Sequence, residues 1–131
     1  MSEKTNKSLV CKVCKIIDNY TLVLNVGHLN NVEKNFKFLI YEIGEEIFDP
    51  DTNQSLGKLE IVKGTGKVIN VQERMCTIES NDYEYIKSSY HSAIEPFLST
   101  KVSNEKEMIA FKNPQVGDFA KYIPWNYTNL F

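Results

Sequence analysis

The chain has 131 residues, 42% of them apolar and 11% aromatic, with 15 basic against 17 acidic side chains and a formal charge of −2. That balance suits one packed core and excludes a disordered polyelectrolyte. No block of five or more like charges occurs, so the basic footprint expected of a nucleic-acid binder is missing, and no run approaches the ~18 apolar residues of a membrane-spanning helix.

Residues 1–8 are polar, carry Lys4 and Lys7, and read as a flexible N-terminus with no apolar signal segment after it. The three cysteines, Cys11, Cys14 and Cys76, are an odd number and predict reduced thiols in a cytoplasmic protein. An abundance of Lys, Asn and Ile fits an AT-rich bacterial or phage genome.

Alternation predicts a first strand over residues 9–17. Asp18-Asn19 then supplies a turn, because both side chains bond nearby backbone and tolerate a left-handed conformation. Residues 20–26, rich in β-branched and aromatic side chains, predict the second strand of a hairpin. After a polar loop over 27–35, a third strand is expected at 36–41, broken by Gly44 and resumed at 46–48. Residues 49–57 are dense in turn formers. Beyond them, 58–62 and 66–71 read as strands around a Lys63-Gly-Thr-Gly66 turn, and 74–78 as another.

The periodicity then changes. Asn81 and Glu84 match a capping box, and Tyr83, Ile86, Tyr90, Ile94 and Phe97 form one helical stripe. An amphipathic helix is predicted over about 82–95, ended by Pro96, within an insertion over 81–107 whose 99–107 part is an exposed loop. Residues 108–111 suggest a further short strand, Asn113-Pro114 and Gly117-Asp118 turns, and 119–123 the closing strand of a single domain over 9–123. The tail, 124–131, is unusually apolar.

Gly27, Val32, Phe36, Phe38, Tyr41 and Gly44, then Ile47-Phe-Asp-Pro-Asp-Thr52, Leu56-Gly57, Gly66-Lys-Val68, Val71 and Val116-Gly-Asp118 occur in that order. This series resembles the small β-barrel at the C-terminus of flagellar assembly protein T and its uncharacterised relatives. The resemblance covers roughly 9–80 and 113–123. It implies a barrel with positive φ at the strand-reversing glycines 27, 44, 57 and 66, and it supplies no catalytic residues. Asn35, and Asn53 in Asn53-Gln54, stand where that family has glycine.

Several constellations have both a chemical and a plain meaning. Cys11 and Cys14 fall at i and i+3, on opposite faces of a strand, which disfavours a shared metal. Asp49, Asp51, Asn53, Ser55 and Glu60 occupy calcium-loop spacings, but Gln54 stands where the sharp turn needs glycine and the flanks read as strands. Gly64-Thr-Gly-Lys67 echoes a phosphate loop but lacks its first glycine, its Ser or Thr, and the following helix, and reads as a hairpin turn. His28 and His91 have no nucleophile nearby in sequence, and Asp82, Glu84 and Glu95 read as a solvated face. No catalytic residue, metal or cofactor is assigned.

The expected architecture is therefore mainly β: a small SH3-like closed β-barrel with one inserted amphipathic helix. The leading functional expectation is a non-enzymatic protein-binding or assembly module. Its partner, another protein or a second copy, would meet Tyr85 on the outer helix face, the 99–107 loop and the tail residues Trp125, Tyr127, Leu130 and Phe131. The same tail could instead pack back on its own barrel. The alternative is a binder of a small nucleotide-like anion, met by Lys34, Lys37, Lys63 and Lys67. Neither nucleic acid nor membrane is an expected partner.

Overall fold

The computed structural model describes residues 9–85 and 106–124. Strands β1 (Val10–Asp18), β2 (Thr21–Leu24), β3 (Lys37–Phe48), β4 (Ser55–Val71), β5 (Cys76–Ser80) and β8 (Phe119–Ile123) form a closed barrel in the order β1-β2-β5-β4-β3-β8. Every pairing is antiparallel, and β8 seals the sheet by bonding to β1 on one side and β3 on the other. Two short strands, β6 (Tyr83–Tyr85) and β7 (Lys106–Met108), make a separate ribbon.

The β1–β2 hairpin forms where alternation and turn chemistry place it. Asp18 Oδ1 accepts the Tyr20 N–H at 2.8 Å, the self-bonded turn that an Asp at this position favours. Alternate residues then point inward. Val13, Leu22, Leu24, Phe38, Ile40, Val68, Cys76 and Ile78 are fully buried and form the core with Phe111. Each such aliphatic or aromatic side chain contributes about 1.5–3 kcal/mol by leaving water.

β3 and β4 are each continuous, which corrects the two broken strands and the Lys63–Gly66 turn expected from sequence. β4 runs for 17 residues through both Gly64 and Gly66. Close packing, not chain reversal, explains the glycine at 66: a Cβ there would lie 2.7 Å from Ile78 Cδ1 and 3.1 Å from the Phe111 ring. Gly44 does not break β3 either. It sits in a bulge between Ile43 and Glu46, with the Ile61 side chain lying across it. Of the four glycines expected at positive φ, only Gly57 has it, at 103°. Asparagine takes that role elsewhere: Asn35 has φ 74° and Asn53 φ 64°, conformations that Asn tolerates better than other side chains.

The predicted helix over 82–95 is also corrected where it can be followed. Tyr83 to Tyr85 are strand, paired with Met108 to Lys106. Asn81 does not cap a helix; its N–H donates to the Thr65 carbonyl at 2.8 Å. Asp82 accepts the Thr65 N–H at 3.0 Å and the Thr65 hydroxyl at 2.7 Å, and Ser80 Oγ donates to the Ile109 carbonyl. These bonds hold the chain extended along β4 and outweigh the local capping signal. Residues 86–95 of the predicted helix lie outside the described residues, as do 1–8 and 125–131. Among the described residues no helix is long and apolar enough to cross a membrane.

Candidate docking surface

The feature that stands out on this barrel is a projecting arm. β3 pairs with β8 only through Lys37 to Tyr41, and β4 pairs with β5 only through Gly66 to Val71. Beyond those limits β3 and β4 continue as a two-stranded ribbon, with Glu42 opposite Ile61, Ile43 opposite Glu60, Glu46 opposite Lys58 and Ile47 opposite Gly57. All of 55–62 is exposed.

The tip is locally determined. The Asn53 N–H donates to the Asp49 carbonyl at 2.7 Å, and the Asp49 N–H to the Gln54 carbonyl at 2.9 Å. Asp49 Oδ1 accepts the Asp51 N–H at 2.8 Å, and Ser55 Oγ donates to Glu46. The calcium-like spacing is thus occupied by a strand–turn–strand tip, in which Asp49 and Ser55 are engaged with neighbours.

What the arm displays is apolar and acidic together. Ile43, Phe48, Leu56, Leu59, Ile61 and Val62 are all exposed, Phe48 by 54% and Leu56 by 65%. Between residues 42 and 62 the sequence carries six carboxylates (Glu42, Glu45, Glu46, Asp49, Asp51 and Glu60) and one lysine, Lys58. A two-stranded ribbon without a face to pack on is marginal in water by itself. The arm therefore depends on how its root is held.

The root is fastened on both faces. On the inner side Lys63, 4% exposed, places Nζ 2.9 Å from Asp118 Oδ2, 2.9 Å from Glu42 Oε1 and 2.9 Å from the Asn113 carbonyl. Burial alone would lower the Lys63 pKa; hydrogen bonds to Asp118 and Glu42 outweigh it and hold that pKa above the ordinary lysine value. Asp118 also accepts the Gln115 N–H at 2.8 Å, so arm, Asn113 turn and β8 share one polar knot. On the outer side the Tyr41 and Phe119 rings stack with centroids 5.6 Å apart. Lys121 Nζ lies 4.9 Å from the Tyr41 ring and 3.0 Å from Glu60, and Lys12 Nζ lies 5.1 Å from Phe119.

The residues singled out from sequence fall elsewhere. Tyr85 is in β6 opposite Lys106, not on the outer face of a helix. Trp125, Tyr127, Leu130 and Phe131 lie outside the described residues, as does His91. Lys63 belongs to the polar knot and is removed from the lysines offered to an anion, while Gly64-Thr-Gly-Lys67 is mid-strand and paired with β3, so it forms no phosphate cradle and no hairpin turn. Lys34 and Lys37 border a small groove of about 210 Å³ with Phe36, Tyr122 and Ile123. A wider, shallower groove of about 750 Å³ runs past His28, Lys34 and Gln72.

The cysteines divide as strand alternation requires. Cys11 and Cys76 are buried in the core, and Cys14 is exposed. Burial, reinforced by the neighbouring thiols, pushes Cys11 and Cys76 up to about 12. Both are held as neutral thiols, the unreactive form. The sequence matches no family model and none of the curated proteins with which it was compared.

Proposed function

We propose that the protein is a non-enzymatic protein-binding or assembly module whose docking element is the β3–β4 arm. One observation carries this reading: six large apolar side chains stand in water on a ribbon that projects from a completed barrel and contributes little to its core. Contiguous exposed apolar surface rimmed by charge marks interaction sites. Among the described residues the ribbon's backbone is also unpaired on both outer edges, which suits recognition by strand addition.

The barrel in this reading is an SH3-like platform, akin in fold to the C-terminal barrel of flagellar assembly protein T. Its work is to hold the arm at a fixed angle. The apolar tail, with Trp125, Tyr127, Leu130 and Phe131, is a second candidate contact in this reading.

The test is a shortened arm. A variant with residues 44–60 replaced by a tight turn keeps Lys63, Glu42 and the whole core. It should melt cooperatively with a β-type circular-dichroism spectrum and fail to retain the partner that the intact chain captures from its native host. Retention of that partner by the shortened chain would overturn the assignment to the arm.

A further inference from the structure

The edge of the arm is self-complementary. In β4 the run Gly57-Lys58-Leu59-Glu60-Ile61 is exposed, and among the described residues no other strand pairs with it on the side away from β3. Further along, that side of β4 is taken: the Lys63 carbonyl accepts the Lys112 N–H, and the Thr65 carbonyl the Asn81 N–H. The open edge therefore ends at Val62.

Two copies of this run can be laid antiparallel about Leu59. Lys58 then stands opposite Glu60 of the second copy, and Glu60 opposite its Lys58, so one two-fold axis creates two opposite-charge pairs. Leu59 faces its own equivalent. Gly57, which has no side chain, stands opposite Ile61 and leaves room for it. A shift of one residue in register destroys all of these matches together.

The other edge of the arm does not offer this. On β3, antiparallel pairing centred on Glu45, on Glu46 or between them sets carboxylate against carboxylate of the second copy, and the bulge between Ile43 and Glu46 interrupts the ladder. Like charges directly opposite destabilise a strand pair. Charge and regularity both select β4.

We infer that the arm's occupant is a second copy of this chain, joined edge to edge through β4 in a two-fold, isologous pair. The two arms become one four-stranded ribbon, β3-β4-β4-β3, one face of which carries Leu59 and Ile61 from both copies. Glu60 keeps its own Lys121 within reach, since a carboxylate has acceptor sites for more than one lysine. This inference rests on the assembly reading above and names its partner.

The experiment uses the intact chain and charge reversal. Sedimentation across a wide concentration range should show a dimer. K58E sets carboxylate against carboxylate, and E60K lysine against lysine; each should weaken dimerisation roughly tenfold or more. Mixing the two variants should restore a dimer containing one of each, and the double variant K58E/E60K should dimerise like the original. A folding defect cannot produce recovery on mixing.

A chain that stays monomeric throughout, or a dimer that both single reversals leave unchanged, overturns the inference. In the monomeric case the shortened-arm capture experiment separates the two levels. Loss of a different protein on shortening the arm leaves the assembly reading standing without self-pairing, and no loss removes both.

Discussion

Lys63 and Asp118, 55 positions apart in the sequence, meet as a buried ion pair with Nζ 2.9 Å from Oδ2 and 3.1 Å from Oδ1. Because Glu42 and the Asn113 carbonyl complete the shell around the ammonium, deleting one partner strands the others. K63M should cost about 3–5 kcal/mol in urea unfolding, the loss typical when a buried pair is halved. The double variant K63M/D118L should cost less than the two single changes added together. Strict additivity would show that the two groups do not share a network.

Alkali should unfold the protein through the groups whose pKa values the fold raises. Cys11 and Cys76 sit at about 12 in the folded chain, against 9.0 for an ordinary thiol. Their contribution is whole below pH 9, where both states keep the proton, and is lost progressively from pH 9 to about 12. Lys63 acts in the same direction: its folded pKa is raised, so its contribution is whole below the ordinary 10.5 and falls as pH climbs through the folded value. The urea midpoint should therefore decline steadily above pH 9, and C11A should flatten the slope. A midpoint that climbs over this range would contradict these assignments.

Thiol chemistry should distinguish one cysteine from two. Cys14 is exposed, while Cys11 and Cys76 are buried and held neutral. A disulfide reagent added at neutral pH should consume one thiol rapidly and the remaining two only as the protein unfolds. C14S should abolish the rapid phase. Two fast thiols would mean that the core opens near β1 or β5.

Gly66 should be intolerant for a packing reason. A Cβ there would meet Ile78 Cδ1 at 2.7 Å, and both Gly66 and Ile78 are buried. G66A should destabilise by about 1–3 kcal/mol, the usual range for an overpacked core. Adding I78V removes the offending methyl and should return part of the loss. If G66A alone is neutral by thermal unfolding, the barrel interior is looser than these distances require.

The parts of this fold that could be read from residues are those decided locally. β1, β2 and β8 follow from alternation, and the Asp18 turn from a side chain bonding two residues away. Lys63-Gly-Thr-Gly66 has every local mark of a turn, yet the strand runs through it. The deciding facts there are remote: Ile78 and Phe111 fill the space over Gly66, and Asp118 receives Lys63. The capping signal at Asn81 and Glu84 failed similarly, overridden by bonds between Asp82 and Thr65. The arm was the least legible element. Leu59 and Ile61 have the composition of core strand residues, and only the lengths over which β3 and β4 outrun β8 and β5 put them in water. A sequence mark did exist: both phases of the alternation at 59–62 carry apolar side chains, which a strand with one face to cover does not need.

The pairing of β8 with both β1 and β3 has a bearing on how the chain comes to be folded during synthesis. Val10 meets Lys121, so β1 waits for β8 before its free edge is covered. A nascent chain halted before Phe119 has every other barrel strand but an open seam, with β1 on one side and β3 on the other. Contacts this distant along the chain close slowly. A ribosome-bound intermediate of this kind presents unpaired strands to its neighbours, and release of β8 from the exit tunnel is the event that ends its exposure.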